Sequence, residues 1–178
     1  MERWTPERRS DAALLDVGCG YGHLLARFRD RYELYGVELS EHAAAVARSR
    51  LPRASLVRAD LQDGLPFRER FNVVLAINVI EHLSDPRAGV AAMREALVPG
   101  GLAVVHLPTI NGPVSRAIYR FAYAADPTHV YRPSSPEVVR LFASADLTLL
   151  EESHAPHSRW MLSGLRWHPA YVAAFRRD

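Results

Sequence analysis

Apolar residues along the first two thirds of this chain come in short unbroken runs, separated by stretches in which they recur every three or four positions. The runs lie at 13–17, 33–38, 56–58, 102–107, and at Val73 to Ile77 within a climb that begins at Phe67. A run without polar interruption suits a strand buried on both faces. Between the runs, helical spacing predicts a helix near 22–30, a second that Ser40 can cap and that ends before Pro52, and a third from Pro86 to Leu97. Asp85 is placed to cap the third, and Pro99-Gly100-Gly101 is placed to stop it. Strands alternating with helices imply parallel pairing with right-handed crossovers, which puts ligands at the carboxyl edge of the sheet.

Regularity lapses from Pro108 to Ser135, apart from a helix predicted from Val114 to Tyr123 that carries aromatic residues at 119, 121 and 123. Ser135-Pro136-Glu137 restarts a helix with cap, proline and acid in order. Strands follow at Leu147 to Glu151 and Ala170 to Phe175, and with no long helix needed between them they suit an antiparallel pair. There is no internal repeat or linker, so 1–178 reads as one domain in which 108–135 is the variable insert.

At 178 residues and 48% hydrophobic content, one domain can bury a full core without staples. The net charge of +2 is too small for a nucleic-acid track, and pairs such as Arg8-Arg9 and Arg176-Arg177 read as solvated surface. The single cysteine, Cys19, cannot form an internal disulfide and points to a reducing compartment. It reads as a small filler before it reads as a reactive thiol. No apolar run reaches the length of a membrane span, and Met1 to Pro6 lack the apolar core of a signal peptide, so the expectation is a cytoplasmic protein. The first 11 residues leave little for a helix that would cover a substrate.

The chemistry starts where the first run breaks into Gly18-Cys19-Gly20-Tyr21-Gly22. Glycines there allow positive φ and let a ligand lie against the backbone, and the amides opening the next helix are expected to point into the gap as free donors. The dinucleotide fingerprint needs a third glycine at position 23, which is His23. The pattern is instead Asp16-x-Gly18-x-Gly20-x-Gly22, which resembles the first motif of class I S-adenosylmethionine-dependent methyltransferases. The resemblance extends through Glu38 at the end of the second strand, Ala59-Asp60-Leu61, Phe71 to Leu83 with its Glu-His-Leu tail, and Leu97 to Gly101. It is closest to the branch of quinone-biosynthesis and natural-product methyltransferases.

That resemblance implies an α/β, Rossmann-like, doubly wound fold: a mostly parallel seven-stranded sheet with an antiparallel last strand and helices on both faces. It implies S-adenosyl-L-methionine as cofactor and transfer of its methyl to a small-molecule acceptor, with an oxygen nucleophile preferred. Cofactor contacts carried over are Asp16, Gly18, Cys19, Gly20, Tyr21 and Gly22 around the methionine part, and Glu38 on the ribose. Leu39, Asp60 and Leu61 would meet the adenine, and Asn78 the methionine end. For Glu38 or Asp60 alone, an ordinary strand-end acid is the simpler reading; together at these positions the ligand reading is preferred.

Proton transfer is needed only for a protonated nucleophile, and two histidines qualify. His82, with Glu81 to orient it, reads equally as a base or as a turn residue bonded to a loop carbonyl. Asp126-Pro127-Thr128-His129-Val130-Tyr131 resembles the segment that returns over the reactive methyl in small-molecule relatives. There His129 is the preferred base, and Asp126 and Tyr131 shape the acceptor pocket; the alternative is an irregular loop held by His129 hydrogen bonds. His106 reads as a packed strand residue. Asp146, His154 and His157 lack metal-ligand spacing, so no metal site is expected. Asn78-Val79-Ile80-Glu81 has the Asn but neither the prolines nor the aromatic residue of base-amine methyltransferases, which disfavours a nucleic-acid substrate. Methylation of a protein and a non-catalytic binding domain that needs a partner chain remain the alternatives.

Overall fold

Neighbouring residues of a strand point to opposite faces, so an unbroken apolar run is fully buried only in a sheet covered on both sides. The computed structural model describes residues 12–123, 126–154 and 169–178 and shows that arrangement. Its strands are β1 (Ala13–Val17), β2 (Glu33–Val37), β3 (Ser55–Val57), β4 (Phe71–Ile77), β5 (Leu97–Pro108), β6 (Leu147–His154) and β7 (Ala170–Arg177). They form one sheet in the order β3-β2-β1-β4-β5-β7-β6. The first five pair in parallel, and β7 runs antiparallel to both β5 and β6. Leu15, Val17, Val74, Ala76, Val105, Ala173 and Phe175 join one core, whereas Leu14, Val73, Leu75, Val104, Val172 and Ala174 join the other.

Four α-helices, α1 (Glu41–Arg50), α2 (Pro86–Ala96), α3 (Pro113–Ala122) and α4 (Ser135–Ala143), connect the strands. Val90, Met93 and Ala96 of α2 share a core with Val138, Leu141 and Phe142 of α4. The opposite core takes Leu25, Phe28 and Leu51. Ser40 caps α1 by accepting from the Ala43 amide at 3.3 Å, and Asp85 caps α2 by accepting from Arg87 and Ala88, as the sequence predicts. Asn72 fixes the start of β1, its Oδ1 accepting from the Ala13 amide at 3.0 Å.

Three expectations are corrected. The helix near 22–30 is replaced by a 3-10 turn at Leu25–Phe28, in which Leu25 and Phe28, three apart, are the buried pair while Arg27, Arg29 and Asp30 face solvent. Pro99-Gly100-Gly101 lies inside β5 as an irregularity, because pairing with β4 runs from Phe71–Leu97 straight to Val73–Leu102 and leaves 98–101 looped out. The N-cap of α4 is Ser134, whose amide and hydroxyl both donate to Glu137 at 2.7 and 2.8 Å. The readings of Met1 to Pro6, Arg8-Arg9 and His157 lie outside the described residues. No helix among the described residues is long and apolar enough to cross a membrane.

Candidate functional site

β1 delivers the chain to the carboxyl edge of the sheet at Val17. The loop beyond it turns on Gly18, Gly20 and Gly22 at φ of +68, +52 and +74°, where any side chain is strained. Their surroundings differ. A Cβ on Gly18 would come within 2.5 Å of Val79 Cγ2, and one on Gly22 within 3.3 Å of the Ala47 Cβ of α1. A Cβ on Gly20 would meet nothing within 4 Å. Gly18 and Gly22 therefore serve packing, and Gly20 is the glycine over which a ligand can lie.

The expected cradle of free amides is also corrected at these positions. Gly18 and Cys19 donate to the Val37 carbonyl at 2.8 and 3.0 Å, Gly22 to Cys19 at 2.9 Å, and Gly20 to Glu38 Oε2 at 2.9 Å. With those donors used inside the fold, the loop offers backbone acceptors and close approach, which suits a cation better than a phosphate. The Cys19 side chain turns into the core beside Gly36, and burial followed by the charges of Asp16 and Glu38 pushes its thiol up to about 12. It is the filler that its position suggested. Tyr21 stands edge-on to His42 at 6.1 Å between ring centres.

Glu38, one residue past β2, is held at both oxygens: Oε2 accepts from Gly20, and Oε1 accepts from the Ser40 amide at 2.8 Å. Its carboxylate, with Gly18, Leu39, Asp60, Asn78 and His82, lines a cavity of about 270 Å³ at the carboxyl edge. Leu39 is 58% exposed there, an apolar face left open. Asp60 Oδ1 accepts from the Gln62 amide at 2.9 Å and so fixes the turn that carries Leu61. Gln62, which sequence patterning missed, ties that turn to the start of α2 by accepting from Ser84 Oγ and the Asp85 amide, both at 2.8 Å. A single Gln carries no periodic signal that could have revealed it. Asp16 lies beneath the loop at 2% exposure, and burial, then the Glu38 charge, pushes its pKa up to about 7. Two carboxylates at this end make the region attractive to a cation.

At the other end, Asn78 ends β4 at φ +55° with its Oδ1 2.7 Å from His106 Nδ1, so the strand histidine orients it. The next turn carries Glu81, which is 1% exposed and whose Oε2 has no hydrogen-bond partner. Burial above all, with the charge of Asp126, pushes its pKa up to about 7. His82 lines the cavity, and its Nδ1 is 2.8 Å from Thr128 Oγ1 and 3.3 Å from the Thr128 carbonyl. The His129 ring packs against it at 4.8 Å and 75°. His129 is buried, with Nδ1 3.0 Å from the Tyr119 hydroxyl and Nε2 3.7 Å from Asp126 Oδ2. Burial, reinforced by His82, lowers its pKa from the ordinary histidine value.

The structure thus brings His82, His129 and Asp126 together but sets His129 behind His82, outside the cavity wall. Tyr131 is not at the cavity. Its amide donates to the Glu81 carbonyl at 3.0 Å, and its ring joins the α2–α4 core and a separate cleft with Arg87 and Glu137. Tyr119, by contrast, touches His129 directly.

The family described as "Methyltransferase domain" matches residues 1–152. The dTDP-3-amino-3,4,6-trideoxy-alpha-D-glucopyranose N,N-dimethyltransferase of Streptomyces venezuelae is 37% identical over 105 residues, 57% of this chain and 43% of that protein. A ubiquinone biosynthesis O-methyltransferase of Cereibacter sphaeroides is 38% identical over 97 residues, 51% of this chain and 39% of the relative. These matches span about two fifths of the relatives' own length. An S-adenosylmethionine-dependent methyltransferase structure from Mesorhizobium loti superposes with a TM-score of 0.79 at 18% identity, covering 99% of this chain and 95% of the other.

Proposed function

The chain belongs to the class I S-adenosylmethionine-dependent methyltransferase family, and from that membership we propose that it transfers a methyl group from S-adenosylmethionine to an oxygen nucleophile on a small molecule, releasing S-adenosylhomocysteine. The observation that carries the proposal is the Glu38 carboxylate at the cavity, fixed at both oxygens by backbone amides yet with lone pairs to spare for a ribose diol. When bound, the cofactor supplies a methyl made electrophilic by its sulfonium. The open backbone at Gly20, the exposed Leu39 and the buried negative charge of Asp16 fit such a ligand. Leu39 would cover the adenine, while Asp60 uses its Oδ2 for the adenine amine and the Leu61 amide donates to the ring. Gly18 carbonyl and Asn78 would hold the methionine end.

The domain proposed is single, with 108–135 on the acceptor side, and its location is cytoplasmic. The two relatives are named for methylating small molecules, one at oxygen and one at an amino sugar, which supports the acceptor class. The stacked pair of His82 at the wall and His129 behind it would take the proton of a hydroxyl acceptor, with His129 kept neutral by burial. Calorimetric titration with S-adenosylmethionine tests the binding half. Glu38→Ala is expected to weaken binding by about 1.5–3 kcal/mol, the range for a hydrogen bond to a charged group. An unchanged dissociation constant removes Glu38 from the site. Product release assayed against phenols, carboxylic acids and amines tests the acceptor, and turnover of amines alone would overturn the oxygen preference.

A further inference from the structure

Among the described residues, one group holds three side chains of metal-ligating type close together: Glu81, His82 and His129, with one ligand atom of each within 4.8 Å of the others. The sequence hides this group, because Glu81 and His82 sit in the turn after β4 while His129 arrives in the loop after α3. Three features separate it from an ordinary polar cluster. Glu81 is 1% exposed and its Oε2 has no hydrogen-bond partner, an arrangement that burial penalises unless a cation or donor completes it. The Nδ1 atoms of both imidazoles are each held by an oxygen, Thr128 Oγ1 at 2.8 Å for His82 and the Tyr119 hydroxyl at 3.0 Å for His129. That leaves each Nε2 to ligate, in the outer-shell pattern that fixes metal-binding histidines. Asp126 Oδ2, 3.7 Å from His129 Nε2, adds a further carboxylate at the rim.

We propose that Glu81, His82 and His129 form a binding site for a divalent transition-metal ion of the zinc class, with a coordination position open toward the cavity that His82 lines. Two imidazoles and one carboxylate match zinc or cobalt and disfavour magnesium and calcium, which prefer all-oxygen sets. Bonds of roughly 2.1 Å place two ligands of one ion at most about 4.2 Å apart, so the group must contract by several tenths of an ångström as the ion enters. Three protein ligands leave a position for an oxygen of the acceptor, at the end of the cavity opposite Glu38. The site goes beyond the methyl-transfer proposal, since metal binding is measured without cofactor or acceptor.

The test is calorimetric titration of chelator-stripped protein with zinc chloride and, separately, with cobalt chloride followed by its visible absorption. The expected result is about one equivalent bound, a tetrahedral-type cobalt spectrum, a zinc-dependent rise in Tm, and no response to magnesium. Glu81→Gln keeps the shape of a buried side chain, and His82→Asn alters a group at the cavity wall. Each should weaken zinc binding by at least about tenfold and abolish the cobalt spectrum, and Tyr119→Phe should weaken zinc binding to a smaller extent. Tight zinc binding that both variants leave unchanged would place the ion elsewhere and overturn the proposal, as would failure of the native chain to bind zinc or cobalt. Loss of zinc binding with cofactor affinity retained in Glu81→Gln, or the reverse in Glu38→Ala, tells failure of this site from failure of the cofactor reading.

Discussion

Asp16 is the residue at which stability and binding oppose one another. Its pKa rises from 3.8 to about 7 in the folded chain, so between those values the native state holds a proton that the unfolded state has released. Stability from this group therefore falls as pH rises from about 4, and the loss is complete above about 7, on the order of a few kcal/mol. Asp16→Asn is expected to raise the Tm of the ligand-free protein at pH 8 while weakening S-adenosylmethionine binding, and binding to the native chain should tighten as pH rises from 6 to 8. A lower Tm with unaltered affinity would show that the carboxylate is structural. The glycines make a second contrast. Gly18→Ala forces a Cβ against Val79 and should destabilise by about 1–3 kcal/mol, whereas Gly20→Ala meets open space and should lose affinity more than stability. Equal Tm losses in urea- or heat-denaturation comparisons would refute the division. The spacing of these glycines was legible in the sequence, but their separate duties were not, because each depends on Val79 or Ala47 arriving from a distant element. For the same reason Glu38 was legible, at the end of a run, while Gln62, Thr128 and Tyr119 were not.

At the scale of elements, caps made the helices readable and tertiary packing decided the rest. Asp85 accepts from two amides of the first turn of α2 and lies beside the Gln62 bridge, so Asp85→Ala should cost about 1 kcal/mol in equilibrium unfolding. A cost near zero would mean that Pro86 and the packing of α2 alone define its start. Where the sequence misled, helical spacing was real but too short to act on: Leu25 and Phe28 satisfy a helical and a 3-10 pattern alike, and the glycines before them choose the tighter turn. The aromatic residues of α3 follow the same lesson. Tyr119 is buried against His129, yet Phe121 is 92% exposed, although packing of the helix's own face was the expectation for both. Two positions along a helix is a rotation of roughly 200°, so they cannot share a face. Tyr131 was misread because its neighbour His129 is buried toward His82, while its own ring turns to the α2–α4 core.

For the whole molecule, the last strand in sequence closes the sheet from within. β7 lies between β5 and β6, and Phe175 stacks on Phe142 of α4 at 4.3 Å and 13°, while Arg177 reaches back to the Leu97 carbonyl and to Glu69 at 2.7 Å. The antiparallel pair was legible from two strands without a crossover helix between them. Its insertion beside β5 was not, since that pairing joins residues far apart in sequence, Ala103 to Phe175 among them. The arrangement makes the parallel half dependent on the chain's end: without β7, both β5 and β6 expose unpaired edges, and β5 carries the His106 that orients Asn78. Phe175→Ala should therefore cost about 3–5 kcal/mol in urea unfolding, the range for deleting a buried ring. At temperatures where the variant is still folded, S-adenosylmethionine affinity should match the native chain, because the stack lies in the core rather than at the cavity. Deleting 170–178 is a harsher change and should leave a chain with secondary structure but without cooperative unfolding. If the shortened chain unfolds in one sharp transition and still binds the cofactor, the first five strands form an autonomous sheet and the dependence argued from β7 does not exist.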